Sequence, residues 1–203
     1  MSEFLVYLQL GFAHITDLAA VDHIFFLVAL AAIYRFRDWR DALWVISAFT
    51  VGHSLTLVLA VTGAFRPPEP LIEFLIPVTI VATAAENLLV ADRTRAFWGG
   101  GYRPIFSGIF GLVHGAGFAS YLRSLFVEQI AVPLLGFNAG IELGQIVVLV
   151  LVLLLLSGFD RVLEAMRLRL PRSAPAPLRL RVVAVSSVVA VIATLWAVER
   201  APW

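Results

Sequence analysis

The sequence places histidines inside stretches that are otherwise apolar. His14 and His23 occur in GFAHITDLAAVDHIFFLVAL (11–30), His53 in FTVGHSLTLVLA (49–60) and His114 in GLVHGAGFASYL (111–122). Imidazole nitrogen suits nickel, zinc, copper and cobalt, and the chain has no cysteine that could supply a thiolate. These residues therefore predict a divalent metal site built from nitrogen and oxygen ligands.

Carboxylates and amides accompany the histidines. Asp22 directly precedes His23, and Glu86 with Asn87 interrupts another apolar stretch. Asn138, Glu142 and Gln145 are spaced i, i+4 and i+7 in a later apolar stretch, which places them on one helical face. We predict as metal ligands His23, His53, His114, Asp22, His14 and Glu142. We predict as neighbours that orient the ligands or line a pathway Glu86, Asn87, Asn138, Gln145 and Ser54.

The composition indicates that membrane helices must position these groups. Of 203 residues, 61% are hydrophobic and 14% are charged, whereas a soluble domain has about 45–50% apolar and about 25% charged residues. The predicted fold is all-α: a polytopic membrane bundle of about six transmembrane helices, with a short interfacial helix over residues 3–12. Residues 1–203 form one integral membrane domain, with spans at about 13–34, 41–64, 70–91, 104–122, 130–157 and 180–198.

The basic residues indicate an orientation. All fifteen are arginine, and twelve lie between spans 1 and 2, 3 and 4, or 5 and 6. The positive-inside rule then predicts a multi-pass protein of a bacterial-type inner membrane with both termini outside. The expected partners are the lipid bilayer and a metal ion, and a homo-oligomer is compatible with the sequence. The net charge of +1 gives no reason to expect a nucleic-acid partner.

Three histidines are predicted to lie at one depth. His23 is 12 residues from Arg35 and His53 is 13 residues from Arg40, or about 18 and 20 Å along a helix. His114 is 11 residues from the arginine that precedes span 4, or about 16 Å. Asp22 falls in the same layer, so imidazoles from three helices and one carboxylate could surround an ion.

Two small-residue motifs bracket ionisable groups. Gly111 and Gly115 flank His114, and a second Gly-x3-Gly motif at residues 140–144 flanks Glu142. Such motifs let helix backbones approach closely. We expect these glycines to bring spans 4 and 5 together near His114 and Glu142.

Several of these residues also have a purely structural interpretation. A single intramembrane histidine can hydrogen-bond a neighbouring helix, and this alternative stays open for His14. Glu86 could carry protons or be a buried structural carboxyl group. Ser54 is expected to bond its own helix backbone. Interhelical hydrogen bonding is favoured over direct ligation for Asn87, Asn138 and Gln145.

Five stretches together resemble the HupE/UreJ family of membrane proteins. They are GFAHITDLAAVDHIFFLVAL, FTVGHSLTLVLA, AAENLL, GLVHGAGFASYL and FNAGIELGQIVVL, which follow the family's order through spans 1 to 5. The resemblance implies a nickel or cobalt permease associated with hydrogenase and urease systems. It also implies that the family's polar positions fall on His14, Asp22, His23, His53, Glu86, Asn87, His114, Asn138, Glu142 and Gln145.

Three functions are compatible with these observations. The favoured one is a secondary transporter or facilitator of a divalent transition metal, with Ni²⁺ as the first choice of substrate and Co²⁺ or Zn²⁺ as alternatives. An intramembrane zinc-dependent hydrolase acting on a lipid or membrane peptide is the second, because three histidines and a carboxylate can leave one zinc position open for water. No HExxH motif supports it. The third is a structural accessory subunit, in which the polar layer only stabilises helix packing.

Overall fold

The computed structural model describes residues 2–18, 21–90, 101–125, 131–167 and 176–202, with the side chains of 119–125 and 167 left out. Within these ranges the chain is helical and contains no strand, which confirms the all-α prediction. A short 3₁₀ helix at Phe36–Asp38 precedes α3. The α-helices are α1 (Glu3–Thr16), α2 (Val21–Ala31), α3 (Trp39–Val61), α4 (Glu69–Val90), α5 (Arg103–Leu125), α6 (Ala131–Arg167) and α7 (Pro177–Glu199).

Four helical segments are long and apolar enough to cross a bilayer: Phe36–Val61, Glu69–Val90, Ala131–Met166 and Pro177–Glu199. Helices α1 and α2 qualify only as a pair, bent by 68°, which forms either a broken span or a re-entrant loop. Helix α5 is also 23 residues long, but its glycines, serines and His114 make it less apolar. The chain is thus a polytopic membrane bundle with four candidate spans, or five if the α1–α2 pair is one span, among the described residues.

The helix bounds differ from the predicted spans mainly at the N-terminus. The predicted first span, 13–34, is not one continuous helix, because α1 ends at Thr16 and α2 begins at Val21. Helix α1 is longer than the predicted interfacial helix and packs along α6. At the end of α3, Gly63 has a φ of +79°, a conformation that terminates helices and favours glycine.

Glycines set the two closest helix pairs. A Cβ atom added at Gly52 of α3 would lie 1.9 Å from the carbonyl oxygen of Gly108 of α5, and one at Gly115 would lie 2.4 Å from that of His53. A Cβ added at Gly140 of α6 would lie 2.1 Å from the carbonyl oxygen of Leu8 in α1. The backbones of α3 and α5, and of α1 and α6, are therefore in direct contact.

This pairing corrects one prediction. The Gly-x3-Gly motifs do mediate close approach, but α5 uses Gly111 and Gly115 against α3, while α6 uses Gly140 and Gly144 against α1. The expectation that these glycines join spans 4 and 5 is wrong. A small-residue motif permits a close contact without specifying which helix makes it.

A buried arginine connects α7 to α6 and to the segment that follows α2. Arg181 of α7 is 1% exposed; its Nη1 donates to Asp160 Oδ2 of α6 at 2.6 Å, and its Nη2 donates to the carbonyl oxygen of Tyr34 at 2.8 Å. Helix α4 packs on α7, and α2 lies against α4, α6 and α7. The end of α2 is thereby fixed to both long C-terminal helices.

Candidate metal centre

Three histidines from three helices meet in the bundle. His14 of α1, His23 of α2 and His53 of α3 each offer one ring nitrogen, and the three atoms lie within 4.8 Å of one another. The ring centroids of His14 and His23 are 4.6 Å apart, and each lies 6.4 Å from that of His53. His23 is 8% exposed and His53 is fully buried. One ion could contact all three rings, His14 included.

The break between α1 and α2 makes this arrangement possible. His14 and His23 are nine residues apart, and at about 100° per residue a continuous helix would place them on opposite faces. Because α1 and α2 are separate helices inclined by 68°, both side chains can point to the same place. The spacing of the two histidines therefore fits a broken first span.

His114 of α5 lies beside this group, with its ring centroid 5.4 Å from that of His23, but its nitrogens are not among those that lie within 4.8 Å of one another. Thr79 Oγ1 donates its proton to the carbonyl oxygen of Ile76 at 2.7 Å and lies 2.9 Å from His114 Nε2. When the Thr79 hydroxyl donates to Ile76, Nε2 carries the ring hydrogen and donates it to Thr79 Oγ1. His114 Nδ1 then keeps its lone pair, as a metal ligand requires.

We expect Thr79→Val to weaken Ni²⁺ binding about tenfold, because partners that orient a ligating histidine typically contribute 10- to 100-fold to affinity. Isothermal titration calorimetry on the purified chain would measure it. Thr83→Val is the matched control, since Thr83 donates to the Thr79 carbonyl oxygen of its own helix. Equal affinities of the two variants would contradict this role of Thr79.

Buried ring nitrogens without partners mark the site. Among the described residues, no hydrogen-bond partner is found for His14 Nε2, for either nitrogen of His23 and His53, or for His114 Nδ1. Leaving a buried polar atom unpaired costs about 1–3 kcal/mol, so six such atoms in one cluster would oppose folding. A metal ion takes one nitrogen from each ring, so coordination would satisfy up to four of these six atoms, and the donor set fits a borderline divalent ion.

A cavity of about 370 Å³ opens beside the histidines; we refer to it as the histidine cavity. Asp22 lies on its wall, and Asp22 Oδ2 accepts a hydrogen bond from Arg200 Nη1 at 2.9 Å. Asp22 Oδ1 is buried and has no partner among the described residues. The cavity is lined by His14, Asp22, His23, Glu73, Ile76, His114, Gly117, Phe118 and Arg200.

Most predicted polar residues of α6 lie elsewhere. Glu142 is not part of the three-histidine group; its Oε1 accepts a hydrogen bond from Ser47 at 2.5 Å. Gln145 Oε1 accepts one from Thr50 at 2.8 Å, so both residues connect α6 to α3. Asn138 Oδ1 is buried without a partner in the described part of the chain. Ser54 donates to the carbonyl oxygen of Thr50, in its own helix as expected.

Glu86 and Asn87 form a second polar centre. Glu86 accepts hydrogen bonds from Tyr102 and Arg103, and Arg103 also donates to Asn87 Oδ1. Asn87 Nδ2 donates to the carbonyl oxygen of Ala29 at 2.6 Å, an interhelical bond. Glu86 lines a separate cavity of about 120 Å³, the Glu86 cavity.

Phe26 lies between the two centres. It lines the Glu86 cavity, and its ring centroid is 5.2 Å from that of His114 and 4.8 Å from that of Phe49. Phe26 is 1% exposed. Phe26 is therefore adjacent to both centres.

Thr79, Glu73 and Arg200 are site residues that the sequence interpretation missed. Thr79 had a usable signal, because Thr79, Thr83 and Glu86 are spaced i, i+4 and i+7 on one helical face. Glu73 and Arg200 lie near helix ends, where charged residues are ordinary. Only tertiary packing reveals that both line the histidine cavity.

Comparison with known proteins supports the sequence resemblance. No curated protein and no solved structure matches the chain significantly. A family model described as HupE / UreJ protein matches residues 1–200, which extends the similarity beyond spans 1 to 5. The chain therefore belongs to the HupE/UreJ family.

Proposed function

We propose that this protein is a secondary transporter or facilitator of a divalent transition metal ion, with Ni²⁺ as the favoured substrate and Co²⁺ as the next. The observation that carries the proposal is the meeting of ring nitrogens from His14, His23 and His53 within 4.8 Å, inside a membrane bundle. Ionisable groups buried at membrane depth commonly mark ion pathways. The association of the HupE/UreJ family with nickel and cobalt transport supports the same function.

The two cavities suggest a route. The ion would enter the histidine cavity, exchange water for imidazole nitrogens and Asp22, pass Phe26 and reach Glu86. With the arginine-rich loops in the cytoplasm of a bacterial-type inner membrane, this direction is inward. The membrane potential would contribute about 2.3 kcal/mol per charge per 100 mV, and therefore about twice that for a divalent ion.

Uptake by reconstituted protein tests the proposal. Proteoliposomes carrying the full chain, with a potential negative inside, should accumulate Ni²⁺ faster than protein-free liposomes, and excess Co²⁺ should compete more strongly than Mg²⁺. Metal analysis of the purified protein should find weakly held ions that dialysis against a chelator removes. Uptake equal to that of protein-free liposomes, together with tightly held stoichiometric zinc, would contradict transport and favour a zinc enzyme.

We expect Glu86→Gln to slow Ni²⁺ uptake about tenfold while leaving equilibrium Ni²⁺ binding within twofold of the wild type. Glu86 is ion-paired with Arg103, so the substitution leaves the positive charge of Arg103 uncompensated, which opposes the passage of a cation, while the histidines stay unchanged. Stopped-flow uptake and calorimetric titration would measure the two effects. Glu164→Gln, at an exposed position of α6, is the control; equal uptake by both variants would remove Glu86 from the route.

A further inference from the structure

One positively charged side chain lies in the wall of the histidine cavity. Arg200 follows the last residue of α7, and its backbone N–H donates to the carbonyl oxygen of Trp196 at 2.9 Å. Its guanidinium group also lies 5.8 Å from the centre of the Trp196 ring. The side chain is 30% exposed. Arg200 is thus held at its base by the end of α7, and its charged end is partly exposed.

Asp22 is the group that Arg200 contacts in this wall. Arg200 Nη1 is 2.9 Å from Asp22 Oδ2, and the aspartate is 19% exposed. The neighbouring residue in the sequence is His23, whose ring lies 4.6 Å from that of His14. Asp22 lines the histidine cavity together with His14 and His23, and its Oδ1 has no partner among the described residues, so a cation in this cavity could bind Asp22 only in competition with the guanidinium group.

A divalent ion and an arginine compete for one carboxylate. Polar partners of a metal ligand typically change metal affinity 10- to 100-fold, and the ion pair of Arg200 engages the carboxylate itself. The same attraction to Arg200 must weaken the hold of Asp22 on a second cation, and the two positive charges also repel each other. Solvent screens a partly exposed pair, so we expect the lower end of this range.

We propose that Arg200 sets the affinity of the histidine site by competing with the metal ion for Asp22. The inference rests on the proposed transport function and adds a residue that controls it. A transport site must bind its ion strongly enough to take it up and weakly enough to let it go. Several imidazoles with a fully available carboxylate would bind a transition metal tightly, and Arg200 moderates that binding.

Calorimetric titration of the purified full chain with NiCl₂ tests this inference. Arg200→Gln should bind Ni²⁺ about tenfold more tightly than the wild type, because Asp22 is released while the ligands stay in place. Arg200→Lys keeps the charge and should bind within about twofold of the wild type. Arg66→Gln removes an exposed arginine outside the cavity and should leave the affinity unchanged.

Transport kinetics and a second substitution sharpen the test. In proteoliposomes, Arg200→Gln should lower both the half-saturating Ni²⁺ concentration and the maximal rate, whereas general damage would lower the rate alone. In an Asp22→Asn background, Arg200→Gln should raise the affinity clearly less than it does in the wild type, because the contested carboxylate is gone and only the direct repulsion between Arg200 and the ion is relieved. Arg200→Met provides a second neutral variant, and thermal melting would confirm that each protein is folded.

The possible outcomes distinguish a failure of this inference from a failure of the proposed transport function. Equal or weaker Ni²⁺ binding by Arg200→Gln and Arg200→Met than by the wild type would overturn the role of Arg200 and leave transport standing. The same tenfold gain in the Asp22→Asn background would also overturn it, because the effect would then not pass through Asp22. A wild-type protein that neither binds nor transports Ni²⁺ would overturn the proposed function and this inference with it.

Discussion

Replacing His53 with alanine is expected to reduce Ni²⁺ affinity more than about 100-fold and to abolish uptake. Removing a residue that only orients a metal ligand lowers metal affinity 10- to 100-fold. Removing a ligand itself should therefore lower the affinity further. His53 is fully buried and its ring lies 6.4 Å from both His14 and His23. Both of its ring nitrogens lack partners among the described residues, so no hydrogen bond there is lost on truncation.

Calorimetric titration and proteoliposome uptake would measure the effect. Ser54→Ala is the control, because Ser54 is the next residue of α3 and bonds only its own helix in the contacts described. It should bind and transport within about twofold of the wild type. Normal uptake by a folded His53→Ala variant would remove this residue from the ion site and leave the cluster with a structural role.

Gly52→Ala is expected to lower the melting temperature by about 10 °C or to prevent folding. The added Cβ atom would lie 1.9 Å from the Gly108 carbonyl oxygen, a backbone atom that can move only if α3 and α5 separate. Overpacking costs about 1–3 kcal/mol and occasionally more; because the contact is with backbone, we expect the upper end of this range, and about 1 kcal/mol corresponds to 2–4 °C for a chain of this size. Thermal denaturation in detergent, followed by circular dichroism, would measure it.

Gly158→Ala is the matched control for this prediction. Both glycines are helical, but a Cβ atom at Gly158 of α6 would meet nothing within 4 Å among the described residues. Alanine is favoured over glycine inside a helix by about 0.5–1 kcal/mol, so this variant should melt at the same temperature or slightly higher. Equal melting of both variants would show that the α3–α5 contact is looser than the structure indicates.

Much of the bundle could be predicted from the sequence, because lipid imposes a simple rule on the chain. Apolar segments long enough to cross a bilayer must form helices in which every backbone group is paired. The all-α fold could be predicted from this rule. The depth estimate brought His23, His53 and His114 into one layer, and the structure places their rings together. A helical rise of 1.5 Å per residue is nearly constant, so depth is predictable.

Contacts around the helix axis were less predictable than depth. Glu142 is bonded to Ser47 rather than grouped with the histidines, and the glycines of α5 face α3 rather than α6. Both depend on how each helix is rotated and on which neighbour it meets, and tertiary packing decides these. Arg200 reaches Asp22 across 178 positions of sequence, a distance at which no local pattern indicates a contact.

The separation of α1 from α2 also affects how spacing in this sequence should be compared with that in other chains. Within one continuous helix, each inserted residue turns everything beyond it by about 100°, so ligand spacing must be conserved. Across a junction between two helices, the connecting segment can absorb an added or missing residue without rotating either histidine. A search pattern that fixes the number of residues between His14 and His23 would therefore reject chains that could build the same ion site.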